Sequence, residues 1–287
     1  MSQQNLAHEE WDMVIESKHS LFDLHLREVW RYRDLLTLLV RRDFVSLYKQ
    51  TILGPIWFFI QPLLTTLTFF IVFGKLAKIE TGQTPQPLFY LSGVVLWTYF
   101  SECLVKTSTV FKDNTNIFGK VYFPRLIVPL SIVVSNLIKL GVQSLLFIFI
   151  LLYYIIFKDY TVEVTPYLLL LPVMILLMAM LGLSLGMIIS SLTTKYRDLA
   201  FLVAFGVQLL MYATPIIYPL SNLKGRAFDI LKWNPMAPIV EGVRMGLFNE
   251  GYFNFAYLGY AVAVSTVLLS FAVIVFNKVE KSFIDTI

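Results

Sequence analysis

The sequence predicts an all-α protein that crosses a membrane six times, with an amphipathic helix before the first span and short re-entrant helices before the last. Three observations carry this. Hydrophobic residues make up 57% of the chain and charged residues 15%, against about 45–50% and about 25% in soluble domains. A water-soluble fold of this length has too little interior to hide that much apolar surface. The charges are also segregated, with no ionisable side chain between Lys49 and Lys75. Finally, six stretches offer the roughly 20 apolar residues that a helix needs to cross hydrocarbon.

In chain order, residues 1–50 are polar and amphipathic. Leu26, Val29, Trp30, Arg33, Leu36, Val40, Phe44 and Leu47 recur at helical spacing, while Arg27, Arg31, Asp34, Arg41 and Arg42 fall mostly on another face. This pattern predicts a helix lying in the inner headgroup layer. No short apolar core with a small-residue cleavage site precedes it, so no secretory signal is expected. Gly54 and Pro55 suit a sharp turn into a new helix. The spans then fall at residues 52–74, 88–105 (with Glu102), 126–157 (with Lys139), 165–194, 199–223 and 251–277, giving a transmembrane domain over 51–277 and a tail at 278–287. Pro215 and Pro219 should break the last turns of the fifth span. Between the fifth and sixth, residues 224–250 are too charged to cross and too apolar for a plain loop. Asn234, Pro235 and Pro238 divide them into two helical pieces, read as a re-entrant hairpin closing the outer side.

Fifteen Lys/Arg fall on the side of the termini and seven on the other, with Lys139 inside a span. The positive-inside bias therefore makes both termini cytoplasmic.

Absences narrow the function. His8, His19 and His25 all precede the membrane, so no His-based metal or acid/base site lies within it. There is no Asp-x-Asp pair for a metal-bound nucleotide sugar and no Gly-rich, Lys-containing phosphate loop. Neither a metal nor a nucleotide cofactor is expected on this chain. The single Cys103 excludes an internal disulfide.

Several constellations remain. Gly54, Trp57, Gln61, Thr65 and Thr68 form a stripe on the first span, Tyr90, Gly93, Trp97 and Ser101 one on the second, and Gln208, Tyr212 and Pro215 one on the fifth. Aromatic rings and hydroxyls aligned in this way suit a path for a hydroxyl-rich solute. Helix packing and interfacial belts account for the same residue types. Arg41, Arg42 and Lys49 can hold a lipid pyrophosphate or simply set orientation. Glu102 has Lys106 one turn later in the favourable order, and Lys139 can join them from the next span as a structural pair. The compact loop at about 106–125 is either a knob for a soluble partner or a plain loop against the headgroups.

The stretch "LREVWRYRDLLTLLVRRDFVSLYKQTILGPIWFFIQPLL", the run "IFGKVYFPRLIVPLS" from Ile117, "NPM" at Asn234 and the ending "EKSFIDTI" resemble the membrane subunit of ABC transporters that export polysaccharides such as O-antigens, capsules and teichoic acids. The resemblance covers nearly the whole chain. Leu47 departs from it, standing where a basic residue is expected.

It implies a homodimer in a bacterial inner membrane, joined by two copies of a separate ATPase that holds ATP and Mg, so that the chain itself is not an enzyme. It implies docking of that ATPase through Asn114, Asn116, Ile117, Phe118, Lys120 and Tyr122. It further implies a channel at the dimer axis, lined by Trp57, Gln61, Thr65, Tyr90, Trp97 and Tyr212 and closed outside by short helices at about 224–250. The cargo would be a glycan on an undecaprenyl-diphosphate-type lipid; nucleic acid is not a partner. The alternatives are export of a lipid or small amphipathic molecule, or a membrane-embedded glycan polymerase or acyltransferase. The last should show His or paired acids near a membrane face.

Overall fold

A computed structural model describes residues 30–49, 52, 54–118, 123–196 and 198–284, and all regular structure among them is helical. Five helical stretches are long and apolar enough to cross a bilayer. The first is α2 (Trp57–Phe69), entered through a 3₁₀ turn at Gly54–Ile56 and continued as a π-helix over Phe70–Leu76. The others are α3 (Gln86–Ser108), α6 (Ile127–Lys158), α7 (Leu171–Thr193) with its leading turn Pro166–Leu170, and α11 (Phe255–Ile284). Gly54 has φ +51°, the left-handed conformation that turns the chain from α1 (Arg33–Tyr48) into α2 and that a side chain would resist.

The expected fifth span is shorter than the sequence pattern suggests. Only Leu199–Tyr212 is helical, as α8, about 21 Å at 1.5 Å per residue against about 30 Å of hydrocarbon. The apolar run continues to Leu223, but the helix ends before Pro215 and Pro219, which have no amide to extend the ladder. Asn234 caps this end: its Nδ2 donates to Ala213 O at 2.8 Å and to Thr214 Oγ1 at 3.0 Å. The 224–250 segment contains two helices, α9 (Arg226–Leu231) and α10 (Ala237–Phe248). α9 has no buried residue, whereas Ala237 to Arg244 are all buried.

Helix α3 is the hub. Every residue from Leu88 to Trp97 is buried, and the helix packs chiefly against α7, α6 and α2. The α3–α7 contact is close because Gly182 and Gly186 face it. A Cβ on Gly186 would lie 2.5 Å from Thr107 Cβ, and one on Gly182 2.8 Å from Cys103 Cβ. Small residues four apart let two membrane helices approach backbone to backbone.

A second apolar cluster lies at the other end of the bundle. It joins Leu39 of α1, Phe111 and Phe118 of the short helices α4 (Val110–Asp113) and α5 (Thr115–Phe118), Phe123, and Phe276 of α11. α1 presents Leu39, flanked by Leu35 and Leu36, to it, and Leu38 and the preceding Trp30 are exposed. The expected apolar face of this helix is therefore rotated. Leu36, Val40 and Phe44 turn inward or partly so, and Trp30 and Arg33 outward. Its expected start at Leu26 lies outside the described residues.

Candidate functional site

The polar residues of the spans divide into those the subunit buries and those it leaves at its surface. Tyr90 is 0% exposed and Trp97 6%. Tyr90 packs edge-on against Phe69 and Phe89, and Trp97 lies 5.2 Å from Phe100. This corrects the expectation that both line a path between subunits, because their rings fill the interior of one. Of the expected α3 stripe, Tyr90, Gly93 and Trp97 are buried and Ser101 is half-buried. From Thr98 onward the outward positions are Thr98, Ser101, Glu102, Val105 and Lys106, all half-buried.

On α2, Trp57 and Gln61 are exposed and Thr65 half-buried. The Thr65 hydroxyl donates back to Gln61 O at 3.0 Å, the usual way a span satisfies a hydroxyl within its own helix. Tyr212, 48% exposed, ends α8, a helix in which only Val207 is buried.

Glu102, Lys106 and Lys139 come together. Lys106 Nζ donates to Glu102 Oε2 at 3.0 Å and to Asn136 Oδ1 at 3.2 Å, and Lys139 Nζ donates to Glu102 Oε1. Lys139 also sits 5.9 Å above the ring of Phe58, which stacks on Phe44 of α1 at 5.9 Å. The triad thus stands where α1, α2, α3 and α6 meet.

The basic cluster before α2 is less uniform than expected. Arg42 is held by Asp43, through Nε at 2.9 Å and Nη2 at 2.8 Å, while Arg41 and Lys49 are exposed.

The expected docking loop also needs correction. Phe118 is 6% exposed and packs between Phe111 and Phe123, with the Arg125 guanidinium 5.3 Å over its ring. It belongs to the subunit's own cluster, because an aromatic ring at the end of a four-residue helix turns to the nearest apolar surface. Asn114 Nδ2 caps Val110 O at 3.0 Å, and Ile117 packs against the same cluster. Lys120 and Tyr122 lie outside the described residues, as does the side chain of Asn116.

One constellation was missed. Arg244, counted by sequence among the cations of an outer loop, is 1% exposed, and Glu241 is 0% exposed. Arg244 Nη1 donates to Pro215 O and to Glu241 Oε1 (3.3 Å), Nη2 donates to Ile216 O (2.8 Å), and the guanidinium lies 3.6 Å from the centre of the Phe89 ring. Glu241 accepts from the amides of Leu220 (3.3 Å) and Tyr252 (2.8 Å). Burial pushes its carboxyl above the ordinary range, while Arg244 and the two amides pull it down. This pair ties the exit of α8 and the approach to α11 to the N-terminal end of α3. Nearby, Glu250 fastens residues 83–84, accepting from the amides of Gln83 and Thr84 and from Thr84 Oγ1 at 2.6 Å. The available signal was a Glu-x-x-Arg spacing inside the otherwise apolar "PIVEGVRMGLF".

A multi-span helical bundle with a partly open polar face and a buried ion pair at one end defines a polytopic membrane protein. The ABC-2 type transporter family profile matches residues 34–248, and the chain belongs to that family. It is 28% identical over 264 residues to the O-antigen export system permease protein RfbA of Myxococcus xanthus, covering 91% of this chain and 98% of that one. It is 25% identical over 252 residues to the Klebsiella pneumoniae protein of the same name, covering 88% and 94%. It is 21% identical over 250 residues to the polysialic acid transport protein KpsM of Escherichia coli, covering 85% and 93%. These names describe transport proteins, not catalysts.

Proposed function

We propose that the chain is the permease of an ATP-driven exporter, in which two copies enclose a path for a lipid-linked polysaccharide across a bacterial inner membrane. The observation that carries this reading is the polar face left open on the spans: Trp57, Gln61 and Thr65 on α2, and Thr98, Ser101 and Lys106 on α3. The hydroxyls bond within their own helices, but the Gln61 amide exposed to hydrocarbon is costly. Against a second copy, or lining a hydrated path, it is satisfied. Aromatic and amide groups suit a sliding sugar chain, since stacking tolerates position and neutral hydrogen bonds do not trap a polymer as charges would.

In this reading α8 and the non-helical residues after it complete a sixth crossing, both termini face the cytoplasm, and Tyr212 stands near the outer end of the path. The 224–250 segment closes the outer mouth. ATP and Mg belong to a separate ATPase present in two copies. Its contact falls on the exposed shell of the α4–α5 loop, at Lys112 and Thr115, rather than on Phe118. The names of the relatives, O-antigen export and polysialic acid transport, support a glycan cargo.

The test is complementation. In cells lacking their own permease, this chain with its ATPase should restore surface polysaccharide, and Gln61→Arg should block export while the complex still assembles. Unimpaired export by Gln61→Arg, or export of a lipid without glycan, would overturn the reading.

A further inference from the structure

We propose that Glu102, Lys106 and Lys139 form a binding site for one phosphate-bearing lipid headgroup at the inner end of α3. Two ammonium groups share one carboxylate, so the cluster carries a net charge of +1. Among the described residues no second carboxylate pairs with either lysine. Near the end of a span such an excess charge is held either in the headgroup layer or by an arranged partner.

The donor inventory points the same way. Two ammonium groups offer six N–H bonds. Three are taken, by the two oxygens of Glu102 and by Asn136 Oδ1. Lys139 is shielded, its side chain 9% exposed and set over the Phe58 ring. Lys106 is not: its side chain is 41% exposed, and Glu102 beside it is 20% exposed. Glu102 therefore fixes both cations in place without saturating them, and the open side belongs to Lys106.

Depth selects the ligand. Lys106 lies two residues before the end of α3 at Ser108, about 3 Å along the axis, which places it at headgroup level, where phosphate is the prevailing anion. A phosphate oxygen there takes the remaining Lys106 donor as a charge-assisted bond and neutralises the cluster. Ser101 and Thr98 continue the same open stripe towards the membrane centre, so a bound headgroup sits at the start of the polar face. The site stands on the charge and donor count. Only the identity of its occupant as cargo rests on the export reading.

Two sources share this chemistry: the diphosphate of a polyprenyl carrier and the phosphate of a bilayer lipid. The test titrates farnesyl diphosphate, farnesol and dioleoylphosphatidylglycerol into the full chain, assembled with its ATPase in maltoside detergent. Farnesyl diphosphate should bind saturably, and farnesol should not displace it. Lys106→Gln should weaken binding about tenfold, the loss of roughly one charge-assisted hydrogen bond, and Lys106→Arg should retain it.

Glu102→Gln should tighten binding, because it raises the net charge to +2; a purely structural role would weaken it in every variant. Equal competition by phosphatidylglycerol assigns the site to bilayer lipid, and its failure to compete assigns it to a diphosphate carrier. Unchanged affinity in a folded Lys106→Gln protein, or equal binding of farnesol, would overturn the proposal. A chain that binds the diphosphate but restores no surface polysaccharide would overturn the export reading and leave the site standing.

Discussion

Two acidic–basic constellations occupy opposite ends of this bundle and use nearly the same helical spacing. At the end where α3 begins, Glu241 and Arg244 stand three residues apart, almost inaccessible, with carbonyls and amides from three other segments closing around them. At the end where α3 finishes, Glu102 and Lys106 stand four apart, joined by Lys139, and one lysine remains open. The difference lies in completeness. A closed constellation fixes backbone segments relative to one another and has little capacity for anything else. An open one keeps charge and donors available. We therefore assign the closed pair to architecture and the open triad to contact with a ligand.

The largest effect expected from this contrast is at the closed end. Glu241→Ala removes the carboxylate paired with a guanidinium that is 1% exposed, and should cost about 3–5 kcal/mol, the usual consequence of breaking a buried pair from one side. Thermal unfolding in detergent reads it; a loss below about 1 kcal/mol, the range of a solvent-exposed pair, would mean that the knot opens to solvent.

Next comes the aromatic cluster that supports the open end. Phe118→Ala should destabilise the isolated subunit by about 3–4 kcal/mol, with no ATPase present. A variant that melts normally and fails only in assembly would return Phe118 to the partner surface.

A smaller effect should join Glu102 to Lys139. A double-mutant cycle with Glu102→Gln and Lys139→Met should give a coupling of about 1–3 kcal/mol, measured by denaturation. Additive losses would break the triad into independent charges. Smallest of all is Lys106→Gln. Its half-exposed ion pair should contribute less than about 1 kcal/mol to stability, although its loss should weaken binding of the farnesyl diphosphate probe. A large drop in melting temperature would place Lys106 with the closed knot rather than the open triad.

The span pattern was legible because length and apolar content alone decide it: α2 and α7 lie within expected runs, and α3, α6 and α11 overlap theirs and run past them. The end of α8 was half legible. Pro215 and Pro219 marked the break, but nothing in the local pattern showed that the helix would stop at Tyr212. Facing was much less legible. A span that packs on several sides has no dominant polar face, so spacing grouped Tyr90 and Trp97 with Ser101, although of the three only Ser101 is partly open. The same difficulty hid Arg244. A cation in a segment read as an outer loop reads as surface, and the carbonyls of Pro215 and Ile216 that join Glu241 in compensating its burial are distant in sequence. Glu102 and Lys139 could be anticipated because a charge within a span needs a partner, and few were on offer.

The central claim is that the open polar face of α2 and α3, and not the buried aromatics of α3, borders the transported material. Single cysteines at Gln61, Ser101, Tyr90 and Trp97, in a Cys103→Ser background with the ATPase present, test it through labelling by a membrane-impermeant thiol reagent during turnover. We predict that Gln61→Cys and Ser101→Cys react and that Tyr90→Cys and Trp97→Cys stay protected. Labelling of the Tyr90 and Trp97 positions with protection of the other two would contradict the account.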